Sequence, residues 1–230
     1  MEPTPAYSVY QVKALEYLIA MGYLFLFVPF WRYVQGPAAL APQPALARRR
    51  AEAGGWFEMP DGLQFHPGHT WARAGNGLAT VGIDDFAQKL VGQVTGIELP
   101  EVGTAVRQGE PALRIRAEGM EPVDLLSPLD GEVVTVNPRV LQDPTRANGD
   151  PYGDGWLFML RPSRLASNAR QLLAGPLARK WMEGVSEALD RHRSPELGAL
   201  AQDGGVPIRG IAQELAPEMP DRLAREFFLT

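Results

Sequence analysis

Between residues 62 and 161 glycine-bearing turns cut the chain into apolar or alternating stretches of four to six residues, too short for long helices. The stretches 78–83, 94–99, 113–116, 123–126, 132–136 and 156–160 have the length and two-residue period of strands. They are separated at Gly75-Asn76-Gly77, Gly103, Asp130-Gly131 and Gly153-Asp154-Gly155, residue types that suit tight turns. Residues 84–90 are the one helical interruption, with Asp84 available as its N-cap. Short strands at this spacing predict a small β-barrel or sandwich.

The N-terminal segment obeys a different rule. From Tyr17 to Trp31 there is no charged residue. Fifteen helical residues rise about 22 Å, less than a hydrocarbon core of roughly 30 Å. Extension back to Val12 gives about twenty residues if Lys13 and Glu16 lie at the interface or face a partner. Tyr17, Trp31 and Tyr33 then stand where an aromatic belt forms, and Pro29 is tolerable near the end. A cleaved signal peptide is a competing reading, with Ala45-Leu46-Ala47 as cleavage triplet. It fits poorly because Glu2 and Glu16 precede or border the run and the stretch to Ala47 is long. A buried soluble helix is the other competitor, since the run is apolar all round. A membrane span is the expectation, with Glu16, Tyr17, Trp31 and Arg32 at its boundaries. Arg32 and Arg48–Arg50 outweigh Lys13, which predicts a single-pass protein with its large C-terminal part on the cytoplasmic side. The Pro/Ala-rich stretch after the run reads as an extended linker.

Within the β-region the residues become specific. His69-Thr70-Trp71, residues 79–88, residues 98–103, residues 127–137 and residues 150–158 follow one another in an order and spacing that closely resemble glycine-cleavage H proteins, over about 95 residues. The resemblance implies a lipoyl-type flattened barrel: two facing sheets and a hairpin that presents the cofactor. It also implies a carrier, in which a lipoyl arm is joined by an amide to one lysine at the hairpin tip.

That lysine is missing. Ungapped counting back from Ser127-Pro128-Leu129-Asp130-Gly131 puts Met120 at the family's lysine position, and Ala117 where a glutamate helps lipoylating enzymes recognise the site. The chain has nineteen arginines but three lysines, Lys13, Lys89 and Lys180, so none lies on the hairpin under any local shift of alignment. A thioether cannot be acylated. Lipoate and biotin are thus both excluded, and no cofactor is expected. The tip Glu118-Gly119-Met120-Glu121 reads either as a surface loop freed from its constraint or as an apolar contact for another subunit.

Other constellations are weak. His66 and His69 are three apart, but Pro67-Gly68 makes a turn of the segment, so a structural role outweighs a metal site. Asp84-Asp85 and Glu118/Glu121 have no partnering nucleophile or histidine for acid–base work. Asp150–Trp156 does not sit in a strand–turn–helix unit, so it is no phosphate loop. Cysteine is absent, which removes disulfide and thiolate chemistry. A net charge of −5 argues against nucleic acid.

After Arg161 the pattern turns helical. One helix is expected over 165–174, and another after Gly175-Pro176 with Leu177, Trp181, Val185 and Leu189 as its apolar stripe. Asp203-Gly204-Gly205 reads as a turn, and 208–215 and 221–228 as short helices. These helices either pad the β-domain or offer Trp181, Phe227 and Phe228 to a partner.

The expected organisation is an α+β chain: a transmembrane helix at 12–34, a Pro/Ala/Arg-rich linker at 35–61, an H-protein-like β-domain at 62–161 and a helical extension at 162–230. The expected role is a non-catalytic accessory subunit of a membrane complex, with a redox or respiratory complex as the first candidate and membrane-protein subunits and the bilayer as partners. The competing role is an adaptor for lipoylated or glycine-cleavage-type enzymes. No small-molecule substrate, metal or nucleic acid is expected.

Overall fold

The computed structural model describes residues 56–192 and 210–230 throughout and residues 13–27 in part. The chain divides into two units, Met1–Arg49 and Arg50–Thr230. In the first, the described residues are helical and exposed, including Tyr17, Leu18, Ile19, Met21, Phe25 and Leu26, and Tyr23 stacks on Phe27 at 5.6 Å. Among the described residues no helix is long and apolar enough to cross a membrane. Trp31, Arg32, Arg48–Arg50, most of the expected linker and the turn at Asp203 lie outside the described residues.

Among its described residues the second unit has nine strands: β1 (Gln64–Phe65), β2 (Thr70–Gly75), β3 (Leu78–Ile83), β4 (Val94–Glu98), β5 (Ala105–Val106), β6 (Pro111–Ala117), β7 (Val123–Leu126), β8 (Gly131–Val136) and β9 (Phe158–Pro162). They form a six-stranded sheet in the order β1-β2-β3-β9-β8-β5 and a three-stranded sheet in the order β4-β6-β7. Strand pairing is antiparallel throughout both sheets. The alternation expected of half-buried strands is clearest in β6, where Leu113, Ile115 and Ala117 are buried and Arg114 and Arg116 exposed. With Ala79, Val81 and Ile83 of β3, Val123 and Leu125 of β7 and Leu160 of β9, these inward side chains form one core between the sheets.

Six of the expected strands exist, with the last displaced to Phe158–Pro162. The displacement has a local cause. Asp150 accepts from the backbone nitrogens of Gly153 (3.0 Å) and Asp154 (2.9 Å), which holds the chain in a turn up to Trp156. Strands β1, β2 and β5 went unread. β2 is buried over its first three residues and exposed over its last three, so it carries no two-residue period.

Helix α1 (Asp85–Val91) starts as expected, with Asp84 accepting from the Ala87 nitrogen at 2.8 Å. Helices α2 (Pro138–Gln142) and α3 (Arg146–Gly149) were not anticipated, although Asn137-Pro138 supplies both a side-chain cap and proline in the first turn. The domain also begins before residue 62. Phe57 is fully buried edge-on against Phe86 at 4.9 Å, and the Glu58 nitrogen donates to Asp85 at 2.8 Å.

The region after Arg161 departs from its expected helices in two respects. Helix α4 (Leu165–Asn168) runs into a single 3-10 turn (Ala169–Gln171), and the chain then extends. Leu173 exchanges backbone bonds of 2.7 and 2.8 Å with Phe65. Pairing with the edge strand overrides helical propensity there. In helix α5 (Gly175–Arg191) the buried residues are Ala178, Met182, Val185 and Leu189, whereas Leu177 is exposed. The inward positions differ from the expected ones only in the first two turns, where Ala178 and Met182 replace Leu177 and Trp181, while Val185 and Leu189 are buried as expected. Helices α6 (Ile211–Leu215) and α7 (Pro220–Phe228) follow, with Ile211, Ala212, Leu223, Ala224 and Phe228 in the core.

Candidate functional site

The hairpin joining β6 to β7 is the feature that the sequence singled out. Its strands pair with Arg114 opposite Asp124 and Ile115 opposite Val123. On the outer face Arg114 grips Asp124 through bonds of 2.6 and 3.1 Å, and Arg116 pairs with Glu98 of β4. Such exposed pairs add little stability but favour this register. The turn is made by Gly119 with φ of +73°, a conformation that L side chains rarely adopt. Glu118 and Glu121 are exposed, while Met120 between them is half-buried and packs against the core.

Two backbone groups and one side chain anchor the tip. The Glu118 nitrogen donates to the Gln93 carbonyl at 3.0 Å. From α6, the Gln213 amide nitrogen donates to the carbonyls of Glu118 (3.0 Å) and Val91 (2.8 Å), bridging the tip to the end of α1. Gln213 sits in a five-residue helix with no motif around it, and nothing in the sequence marked it.

A lipoyl arm needs a free amine at this tip, and the residues present do not fit one. Position 120 ends in a thioether. Lys89 lies on α1, with its ammonium bound to Asp85 at 2.7 Å and reaching the Trp56 carbonyl at 3.4 Å. Lys180 lies on α5 and pairs with Glu183 at 2.9 Å. Lys13 belongs to the N-terminal unit. No amide-linked arm can be built on the hairpin.

The histidine turn is a piece of architecture. His69 has φ of +63° and its Nδ1 lies 2.8 Å from Asp84 Oδ2, both side chains being almost fully buried. Its ring stacks on Phe86 at 4.2 Å and lies 4.9 Å from Trp181. Asp84 thus caps α1 with one oxygen and fixes His69 with the other. His66 Nδ1 accepts from the Gly68 nitrogen at 3.0 Å, and burial, with His69 beside it, lowers its pKa to about 4. Among the described residues no group of three or more His, Asp or Glu is placed to hold a metal ion.

Two further polar networks escaped the sequence reading. Asp130 accepts from the Gln108 nitrogen (2.8 Å), Asn168 (2.9 Å) and Arg164 (2.9 Å). Burial pushes its carboxyl up, but the bonds from Asn168 and Gln108 and the Arg164 charge outweigh this and hold it below the usual range. The Tyr152 hydroxyl accepts from the Asp85 nitrogen (2.8 Å) and donates to the Glu58 carbonyl (2.6 Å). Burial, and then the Asp84 charge, push its pKa well up, so it is neutral in the folded domain. The first joins the loops at Gln108 and Asp130 to Arg164 and Asn168, and the second ties the loop at Tyr152 to α1 and to the segment at Glu58.

The surface proposed for a partner is largely occupied within the chain. Phe228 is fully buried, 6.2 Å from the His69 ring, so it offers nothing to a second protein. Trp181 and Phe227 are half-buried against the same core, Phe227 lying 5.2 Å from Phe86. The aromatic side chains fill the space beside His69 and Phe86, which is where their apolar area is removed from water.

Comparison with known proteins follows the same region of the chain. The family model described as glycine cleavage H-protein matches residues 63–184. A probable glycine cleavage system H protein of Aeropyrum pernix is 41% identical over 109 residues, covering 47% of this chain and 76% of the relative. The glycine cleavage system H protein of Rubrobacter xylanophilus is 47% identical over 107 residues, covering 46% of this chain and 83% of the relative. A crystal structure of the H protein from Mycobacterium marinum is 31% identical, with a TM-score of 0.44 over 46% of this chain and 87% of that one. The family match ends inside α5, before α6 and α7.

Proposed function

The chain belongs to the glycine cleavage H-protein family, and from that premise we propose that it is a non-catalytic, membrane-anchored accessory subunit of a larger complex that cannot act as a lipoyl carrier. The observation that carries this reading is Met120 at the hairpin tip, together with the lack of any lysine between Lys89 and Lys180. Without an amine, the family's shuttle chemistry has no point of attachment. What is left is a rigid β-domain with a built-up surface, suited to scaffolding.

Membrane attachment is supported by the uncharged run from Tyr17 to Trp31 and by the exposure of its described apolar side chains. Exposed Tyr17, Leu18, Phe25 and Leu26 on one helical segment need an apolar environment outside the segment itself. Glu16, paired with a neighbouring subunit, would favour a helix packed among others. The excess of arginines after the run over Lys13 before it supports a cytoplasmic side for the β-domain.

A second reading has its own support. The relatives carry the name glycine cleavage system H protein, so the β-domain surface is of a kind that such a system engages, and the chain would then be a membrane adaptor for lipoylated or glycine-cleavage-type enzymes. Affinity purification from the native cell in mild detergent separates the two. Co-purifying membrane subunits, with haem or iron–sulfur absorbance for a redox complex, are the expected result. Soluble glycine-cleavage enzymes as the main companions would favour the adaptor, and a chain recovered alone would contradict both.

A further inference from the structure

Residues 210–230 do more than add helices to the β-domain. Gly210, with φ of +86°, donates its nitrogen to the Lys89 carbonyl at 2.8 Å. The approach is close enough that a Cβ on Gly92 would stand 2.9 Å from Gly210 Cα, so glycine is required on the α1 side of the contact. One turn later Gln213 bridges Val91 and Glu118, and its Cγ lies 3.8 Å from where a Cβ on Gly119 would stand. At the other end of the segment the Thr230 hydroxyl donates to the Asp124 carbonyl of β7 at 3.2 Å. Leu223, Ala224 and Phe228 between them are buried in the common core. The segment therefore touches both the turn and the return strand of the hairpin, and it lies beyond the family match.

We infer that residues 210–230 form an intramolecular strap that closes the hairpin tip to enzymes that would dock there. An enzyme that modifies or uses a residue at position 120 must surround the turn, and α6 already holds one side of it through Gln213. The shielding rests on the reading that this hairpin corresponds to the family's arm-bearing one. The clamping itself does not.

The test uses the full-length chain in mild detergent, with Gln213→Ala, Ala117→Glu/Met120→Lys, and all three substitutions combined. Hydrogen exchange reports the clamp, and lipoate, ATP and a lipoate–protein ligase report access to the new amine. Removing two hydrogen bonds from Gln213 is expected to speed exchange of the Glu118 amide by about tenfold, while β3 amides stay protected. The ligase is expected to modify the triple variant at least about fivefold faster than Ala117→Glu/Met120→Lys. Unchanged Glu118 exchange, or equal modification with and without Gln213, overturns the strap. Accelerated exchange with no modification in either background overturns the shielding. If the triple variant does not fold, exchange in Gln213→Ala alone decides. A lipoyl group on the native chain would defeat the non-carrier reading but leave the exchange result standing.

Discussion

At position 120 the difference between a carrier and a non-carrier is one functional group: an amine forms an amide with a carboxylic acid and a thioether does not. The half-buried setting of Met120 fits an apolar side chain better than a cation, which would lose hydration there. This was legible from the residue alone, once the surrounding motif fixed the count. The chemistry of His66 was not, because its meaning depends on burial. With its pKa lowered to about 4 from 6.5, His66 is neutral in the folded domain over a range where the unfolded chain is protonated. The unfolded state then binds more protons, so stability falls as pH drops from about 6.5 to about 4, by up to about 3 kcal/mol. His66→Asn retains an acceptor for the Gly68 nitrogen and removes the titration. Urea midpoints at pH 7 and pH 4.5 should lie closer together in that variant than in the wild type. An undiminished gap would show that His66 is not a source of the acid sensitivity.

Among the elements, a strand was most legible where one face is buried and the other wet, as in β6. Strands were lost where that alternation breaks down, as in β2, or where an aspartate turn moves a boundary, as at β9. The apolar stripe of α5 differs from the expected one only at its start, where Leu177 and Ala178 compete for the first inward position. Local hydrophobicity favours leucine, but the space against the sheet accepts the smaller side chain. Helix α7 shows the same limit on a larger scale. Its Phe228 looked like an exposed aromatic end and is instead a fully buried wedge. Phe228→Ala should cost about 3–5 kcal/mol of unfolding free energy, measured by chemical denaturation. A loss below about 1 kcal/mol would mean that α7 is peripheral. The hairpin makes a separate prediction. Met120→Lys alone should be lipoylated poorly, because Ala117 also departs from the pattern that modifying enzymes read. Efficient modification of that single variant would show the hairpin to be a competent substrate as it stands.

Over the whole molecule, the sequence and the structure divide the work. The family and the two-sheet architecture were readable from motif order, and the absence of a lysine between Lys89 and Lys180 from a count. The strap, the Asp130 network and the Tyr152 tie were not, since each joins residues far apart in the chain through single polar side chains with no local pattern. In the N-terminal unit the described side chains of Tyr17, Leu18, Ile19, Met21, Phe25 and Leu26 are exposed. On the proposed reading, a family built around a mobile cofactor has here given rise to a chain anchored at one end and strapped at the hairpin.

Mass spectrometry of the protein isolated from its own cells tests this account most directly. Peptides mapped from residues 62–161 should all carry their unmodified masses, in cells whose other lipoyl proteins are fully modified. An added lipoyl mass that peptide mapping places within residues 62–161 would contradict it.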